Sequence, residues 1–332
     1  MNNVSKGAKM FIGSNHAADA AQLKLVVGAK IKAADGVVAL TLNHPGGRRL
    51  PDWTPGAHID VVLPTGTSRQ YSLCGDRWDP YSYRIAVLHE DHGRGGSAYI
   101  HHDLTEGAVL GLGGPRNNFP LAPSEEYLFI AGGIGITPLL PMIRQADLMG
   151  ADWKLLYLGR SRRTMAFLDE LAGYGERVVV VAKDESGRCD LLEQLAGPKE
   201  ETKVYVCGPR SLLTAVEEHC RNWPVGLLRV EHFAAKQQGA PARGTAFEVQ
   251  LARSGLSVTV TPDQTILDAV QKAGVNILTS CREGTCGTCE VTVLGGDPDH
   301  RDSILDEAER ASGRCMFPCV SRSRSDHLMI DL

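Results

Sequence analysis

The sequence predicts a multidomain protein in which a small β-barrel, an α/β domain with a mostly parallel sheet and a compact C-terminal unit follow one another. Three observations predict it. Strand-like runs dominate from about Leu23 to Leu121, and apolar strands alternate with helical patterns from about Ser124 to Phe233. A stretch poor in apolar residues, AAKQQGAPARGTA, then precedes a fresh set of patterned segments. A chain of 332 residues has room for this, because single hydrophobic cores seldom grow far beyond a few hundred residues.

In the first unit, LKLVVGAKI, GVVALTL, HIDVVL, RQYSLC, YRIAVLH and AVLGLGG alternate or are β-branched, and HPGG, PTGT and GGPRNN break them. SAYIHHDL reads as a short helix with Ser97 as its N-cap. In the second unit YLFIAGG, WKLLYLG, RVVVVA and KVYVCG are strands of the kind buried on both faces. LLPMIRQADLMG, AFLDELAGYG, LLEQLA and RSLLTAVEEHC are the intervening helices. In the third, FEVQLARSGLSVTVT reads as a hairpin, TILDAVQKAG as a helix closed by Gly274, and CEVTVLGG as a strand. The domain limits expected are 21–122, 123–235 and 246–332, with 236–245 as a linker.

Lys and Arg number 35 against 39 Asp and Glu, a formal net charge of −4, so no broad positive field exists to hold a nucleic-acid backbone. No apolar run approaches the roughly 20 residues that span a bilayer, and the first twenty residues lack a secretory pattern. A cytoplasmic monomer is expected, with neither nucleic acid nor membrane as partner. The nine cysteines are odd in number in a long chain, which favours reduced thiols and metal ligands over a disulfide scaffold.

Four of them stand as C-x4-C-x2-C-x29-C: Cys281, Cys286, Cys289 and Cys319. Thiolates are the soft ligands iron-sulfur clusters require, and Gly284 and Gly287 let backbone curl closely around inorganic sulfide. Structural zinc is the competing reading, but zinc commonly uses two C-x2-C knuckles, whereas here the first pair is four apart and the last cysteine stands alone. Cys315, four residues before Cys319, is a rival fourth ligand. Asp299-His300-Arg301-Asp302 reads as salt-bridging turn support rather than a second metal site.

Three further strings carry chemistry. In Arg69-Gln70-Tyr71-Ser72-Leu73, strand alternation puts Arg69, Tyr71 and Leu73 on one face and Gln70 and Ser72 on the other. Gly95-Gly96-Ser97, at a helix start, offers N–H groups and a hydroxyl to a phosphate. Gly132, Gly133 and Gly135 lie between a strand and a helix opened by Thr137 and Pro138, which suits a pyrophosphate, although the string is not G-x-G-x-x-G.

The first three cysteines resemble the plant-type ferredoxin pattern. SCREGTCGTCEVTVLGGDPDHRDSIL followed by CVSRSRS resembles the carboxy-terminal domain of the phthalate dioxygenase reductase family, and the resemblance extends from about Leu23 to Leu332. It implies a six-stranded antiparallel flavin-binding β-barrel, a ferredoxin-reductase-like α/β nucleotide-binding domain and a C-terminal β-grasp 2Fe-2S ferredoxin domain. It assigns Cys319 to the cluster and leaves Cys315 a structural thiol. It gives Arg69 to the flavin phosphate, Tyr71 to the ribityl or ring region, and Ser72 to the reactive ring edge, with Gln70 beside them and Gly95, Gly96 and Ser97 around the terminal phosphate of FMN. Cys207, Gly208 and Pro209, in YVCGP, would lie beside the nicotinamide, and Glu231 and Phe233, in VEHF, near the flavin ring. Arg160 and Ser161 would meet the adenosine ribose. NADH is the expected donor, although the cations from Arg160 to Arg163 leave NADPH open.

A nicotinamide gives up two electrons as hydride, a cluster accepts one, and a flavin reconciles them. The implied function is an NADH-dependent reductase feeding a separate Rieske-type non-haem iron oxygenase or O-demethylase. The chain has no Rieske Cys-His pairing and no 2-His-1-carboxylate pattern of its own. A reductase for a haem-thiolate monooxygenase is the alternative. A carrier with an inactive nucleotide domain and a regulatory redox sensor are further rivals, opposed by intact Arg69, Ser72, Gly132 and Cys207.

Overall fold

The computed structural model describes residues 23–332 apart from 65, 67, 92, 188, 189, 192–194, 196, 198–200, 237 and 238. The leader before Ala21 therefore lies outside the described residues, and the helix expected over 191–196 does so for the most part.

All six strands expected in the first unit form: β1 (Leu23–Ala34), β2 (Val37–Asn43), β3 (His58–Val62), β4 (Ser68–Ser72), β5 (Ser82–Leu88) and β6 (Val109–Arg116). They pair antiparallel in the order β4-β3-β6-β1-β2-β5. Alternate side chains, among them Leu25, Leu40, Ile59, Val61, Ile85 and Leu112, fill the interior. Just past β4 the Cys74 N–H donates to the Arg84 carbonyl at 2.8 Å, which brings the two outer strands together. Helix α1 (Gly96–His102) plugs this barrel with Ile100. It differs from expectation at its start: Gly95, in left-handed backbone at φ 83°, is the N-cap, and Ser97 lies inside the helix. The Ser97 hydroxyl instead accepts the Glu90 N–H at 3.1 Å, pinning the loop before the helix.

The second unit is a five-stranded parallel sheet of β7 (Glu126–Gly132), β8 (Asp152–Gly159), β9 (Val178–Ala182), β10 (Thr202–Cys207) and β11 (Leu228–Glu231), ordered β11-β10-β7-β8-β9. Tyr127 and Phe129 of β7 pack with α2 (Ile136–Leu148) on one face, while Ile130 packs with α5 (Arg210–His219) on the other. Between them stand the short helices α3 (Leu168–Ala172) and α4 (Lys183–Ser186). From β7 the chain steps outward through β8 to β9, then returns to the other side of β7 with β10. The crevice at the carboxyl ends of β7 and β10 is therefore a topological switch point, where open α/β sheets bind ligands.

The third unit is a mixed sheet ordered β13-β12-β18-β14-β16, in which β12 (Phe247–Leu251) and β18 (His327–Ile330) are parallel and neighbours run antiparallel. β13 (Leu256–Val260) completes the hairpin, and β14 (Val291–Gly295) carries β16 (Cys315–Met316) at the edge. Helix α6 (Ile266–Lys272) buries Ile266 and Val270 against the sheet. Thr265 and Asp268 close its N-terminus with a capping box, and Gly274, at φ 84°, ends it as the sequence predicts. This is a β-grasp. A two-stranded ladder of β15 (Pro298–Asp299) with β17 (Arg322–Ser323) and the helix α7 (Glu307–Ser312) complete it.

The linker over 236–245 is tied down where it is described. The Lys236 N–H donates to Ser303 Oγ at 2.8 Å and the Ala242 N–H to Asp299 Oδ2 at 3.0 Å.

Candidate redox-cofactor and nucleotide site

The four cysteines lie close enough to shift one another's thiols, Cys281 chiefly with Cys286 and Cys289 chiefly with Cys319. A two-iron cluster takes two thiolates per metal. One sulfur of each pair is eased toward the thiolate. Contact with Cys286, aided by the Glu283 N–H at 3.2 Å, pulls Cys281 down to about 5, and contact with Cys319 lowers Cys289. Their partners Cys286 and Cys319 are pushed up. Cys315 belongs to neither pair: it lies on β16 opposite Thr292, and burial raises its thiol.

The cysteine loop needs its glycines. Gly284 has φ 69°, and a Cβ there would stand 2.5 Å from Val320 Cγ2; Gly287 has φ 76°, and its Cβ would stand 2.9 Å from Asn118 Nδ2. Beneath the loop the Ser303 N–H donates to the Gly284 carbonyl at 2.8 Å. Fully buried Asp302 accepts the Ile304 and Leu305 N–H groups, and Arg310 lies 3.4 Å from its carboxylate. Asp299 lies 3.6 Å from Arg301. The 299–302 string is thus the turn support its sequence suggests.

On β4, Tyr71 packs on the barrel interior and burial raises its phenol. Arg69 reaches across to α1, where its guanidinium donates to the Arg94 carbonyl at 3.1 Å. Gly96 gives that side chain room, since a Cβ would stand 2.8 Å from Arg69 Cγ. No side chain caps α1, so the Arg69 cation and the backbone N–H groups of Gly96 and Ser97 are the groups that could hold a terminal phosphate. The Gln70 amide donates to Asp60 Oδ1 at 3.0 Å, and its carbonyl oxygen accepts from Thr285 at 3.4 Å. Ser72 is buried at the end of β4 and makes no hydrogen bond to Cys207 or Glu231.

In the crevice of the parallel sheet two glycine segments touch backbone to backbone. A Cβ on Gly135 would stand 2.2 Å from the Cys207 carbonyl oxygen, one on Gly208 2.9 Å from Gly132 Cα, and one on Gly132 2.5 Å from Pro209 Cδ. Gly133, at φ 54°, makes the turn, and Thr137 anchors it through its hydroxyl to the Ile134 carbonyl at 3.0 Å. Pro138 is buried in the first turn of α2. This floor lets a pyrophosphate approach backbone N–H groups closely.

β10 and β11 run in register with Cys207 opposite Glu231, and the thiol lies 3.8 Å from Glu231 Oε2. Burial raises Cys207 well above its ordinary range and lifts Glu231 to about 8, so the carboxyl holds its proton at neutral pH. Phe233, two residues on, is 46 % exposed. At the end of β8, Arg162 pairs with Glu185 at 2.9 Å and Arg163 with Asp35 at 3.5 Å, whereas Arg160 is exposed and Ser161 half-buried.

The units meet at these sites. Arg84 of β5 and Arg144 of α2 share Glu170 of α3, and Arg144 also donates to the Gly75 carbonyl at 3.0 Å, just beyond β4. Arg94 pairs with Glu283 of the cysteine loop at 2.6 Å. These contacts join residues far apart in sequence, so no local signal announces them.

Residues 249–324 match the model of a 2Fe-2S iron-sulfur cluster binding domain, and residues 129–218 that of an oxidoreductase NAD-binding domain. The chain is 43 % identical, over 95 % of its length and 99 % of the relative's, to phenoxybenzoate dioxygenase subunit beta of Ectopseudomonas oleovorans. It superposes on phthalate dioxygenase reductase, a modular structure for electron transfer from pyridine nucleotides to [2Fe-2S], with a TM-score of 0.68 and 36 % identity over 94 % of this chain and 98 % of that one. It also superposes, with a TM-score of 0.89 and 45 % identity, on an intact type IV self-sufficient cytochrome P450 monooxygenase, covering 94 % of this chain but 41 % of that one. With a cysteine loop arranged as two sulfur pairs and a nucleotide crevice in one chain, and this likeness along nearly its whole length, the protein belongs to the phthalate dioxygenase reductase family.

Proposed function

We propose that this chain is the NADH-dependent reductase component of an oxygenase system, delivering electrons to a separate Rieske-type non-haem iron oxygenase or O-demethylase. The observation that carries this reading is the contact of β4, bearing Arg69, Tyr71 and Ser72, with the cysteine loop, in a chain whose glycine crevice suits a dinucleotide. Its cofactors are FMN, a 2Fe-2S cluster and NADH. When bound, they divide the two electrons of a hydride into single electrons.

The chain's own residues bind, orient and hold protons. Gly132, Gly133 and Gly135 receive the pyrophosphate, with Thr137 and Pro138 fixing the turn. Cys207, Gly208 and Pro209 position the nicotinamide, and the buried thiol acts as a positioning group rather than a nucleophile. Protonated Glu231 keeps a negative charge away from that thiol, with Ser72 at the end of the flavin strand and Phe233 beside it. Arg69, Gly95, Gly96 and Ser97 hold the FMN phosphate, and Tyr71 lines the ribityl side. Cys281, Cys286, Cys289 and Cys319 hold the cluster. No described helix is long and apolar enough to cross a membrane. A cytoplasmic monomer is the working assignment.

Preference for NADH follows from the ion pairs of Arg162 with Glu185 and Arg163 with Asp35, which take two of the three nearby cations away from a 2′-phosphate. The expected result is a kcat/KM for NADH at least about tenfold above that for NADPH, or about 1.4 kcal/mol. Arg160→Glu should widen the gap by repelling a 2′-phosphate, and a wild-type preference for NADPH would contradict the assignment.

The likeness to 41 % of the chain of a self-sufficient cytochrome P450 monooxygenase favours one second reading, service to a haem-thiolate enzyme. Pairing the reductase with a purified Rieske oxygenase and with a purified haem-thiolate monooxygenase decides between them. Faster NADH-driven turnover of the Rieske partner supports the proposal, and turnover of the haem-thiolate partner alone overturns it.

A further inference from the structure

Strand β4 turns its two faces to different neighbours. Arg69 reaches the loop before α1, whereas Ser68 Oγ lies 3.2 Å from Ser280 Oγ and Gln70 meets Thr285, both in the cysteine segment. Behind Gln70 stands buried Asp60, which shares one carboxylate oxygen with the Gln70 amide and the other with Arg116. Arg116 in turn directs Nε toward the Cys286 carbonyl at 3.4 Å. A buried carboxylate must be paired, so Asp60 fixes the guanidinium and leaves one edge of it aimed at the loop. Only a planar fork serves both partners, since a lysine presents a single point of charge.

We infer that Asp60 and Arg116 are positioning residues that clamp the Cys286 segment against the barrel and thereby set how fast electrons pass from flavin to cluster. The inference rests on the function proposed above. Neither residue belongs to the flavin phosphate cradle, the nucleotide crevice or the sulfur pairs. Their lever is geometric: electron tunnelling weakens steeply with separation, and groups that orient a metal-binding loop tune the metal as well as hold it.

Full-length holoprotein carrying Arg116→Lys, and separately Asp60→Asn, is mixed anaerobically with NADH in a stopped-flow instrument, with flavin and cluster bands followed separately. Hydrogen exchange over 280–290 is measured on the same oxidised proteins. The flavin phase should stay within about twofold of wild type while the cluster phase slows by roughly tenfold or more, the scale of outer-shell effects at metal sites. Exchange in the loop should quicken in both variants. An unchanged cluster phase with unchanged loop exchange overturns the clamp, and so does a lower melting temperature with both readouts at wild type. If Arg116→Lys does not accumulate as holoprotein, Asp60→Asn, which keeps the shape of the pair, decides by the same two readouts. Failure of NADH to reduce the flavin in wild type would instead overturn the proposed function.

Discussion

Cys319→Ser should remove the iron-sulfur chromophore and cut NADH-driven reduction of a one-electron acceptor protein by roughly a hundredfold or more, equivalent to about 2.7 kcal/mol of barrel-to-acceptor barrier. Cys315→Ser, four residues away, should leave both at wild type. The contrast follows from geometry. Cys319 is buried and paired through sulfur with Cys289, while Cys315 sits on an edge strand opposite Thr292. Losing Cys319 leaves one iron without a hard-to-replace thiolate, because a serine hydroxyl is a poor substitute for soft sulfur. The flavin phase of NADH oxidation should survive, since the core clusters of the barrel and the parallel sheet are built from residues that precede the third unit. Iron and sulfide analysis with visible spectra checks the pair, and loss of the cluster in Cys315→Ser alone would reverse the ligand assignment.

Glu231→Gln should flatten the dependence of NADH-driven flavin reduction on pH, whereas in wild type the rate should fall severalfold as pH rises through about 8. The carboxyl of half-buried Glu231 lies against the Cys207 thiol and is desolvated there, so its ionisation places a negative charge beside the nicotinamide crevice. Glutamine keeps the neutral shape. Glu231→Ala removes it and should slow the step by about a hundredfold, the low end for a positioned proton-bearing group. Stability moves with the same proton. Between the ordinary glutamate value of 4.5 and about 8, the folded chain holds a proton that the unfolded chain has released, so stability falls as pH rises across that window. Glu231→Gln should therefore melt above wild type at pH 8, with the gap closing toward pH 5. A wild-type rate that is level from pH 6 to 9, in stopped-flow, would remove Glu231 from the account.

What the sequence made legible was periodic and local. Six barrel strands announced themselves through alternation or β-branching, and β7 to β10 through unbroken apolar runs that only a sheet covered on both faces can bury. The cysteine spacing carried the cluster. Strand β11 was missed because Leu228–Glu231 is four residues long with Arg229 inside it, too short for a period. With β11 missed, the register that sets Glu231 opposite Cys207 was out of reach as well, although both residues were named. β15 and β17, two residues each, form only because folding brings 298–299 beside 322–323. Gln70 was named with its strand, but its partners Asp60 and Thr285 lie on another strand and in another unit, beyond the reach of any local pattern. Ser97 looked like an N-cap by composition, but Gly95 can enter left-handed backbone at no steric cost, which moves the helix start upstream.

Anaerobic titration of the purified, fully loaded chain with NADH, joined to iron, sulfide and flavin analysis of the same sample, tests the central claim most directly. The account predicts FMN together with iron and acid-labile sulfide in the ratio of a 2Fe-2S cluster, and bleaching of the flavin and cluster bands alike. Zinc in place of iron and sulfide, or a cluster band that NADH leaves untouched while the flavin is fully reduced, would contradict it.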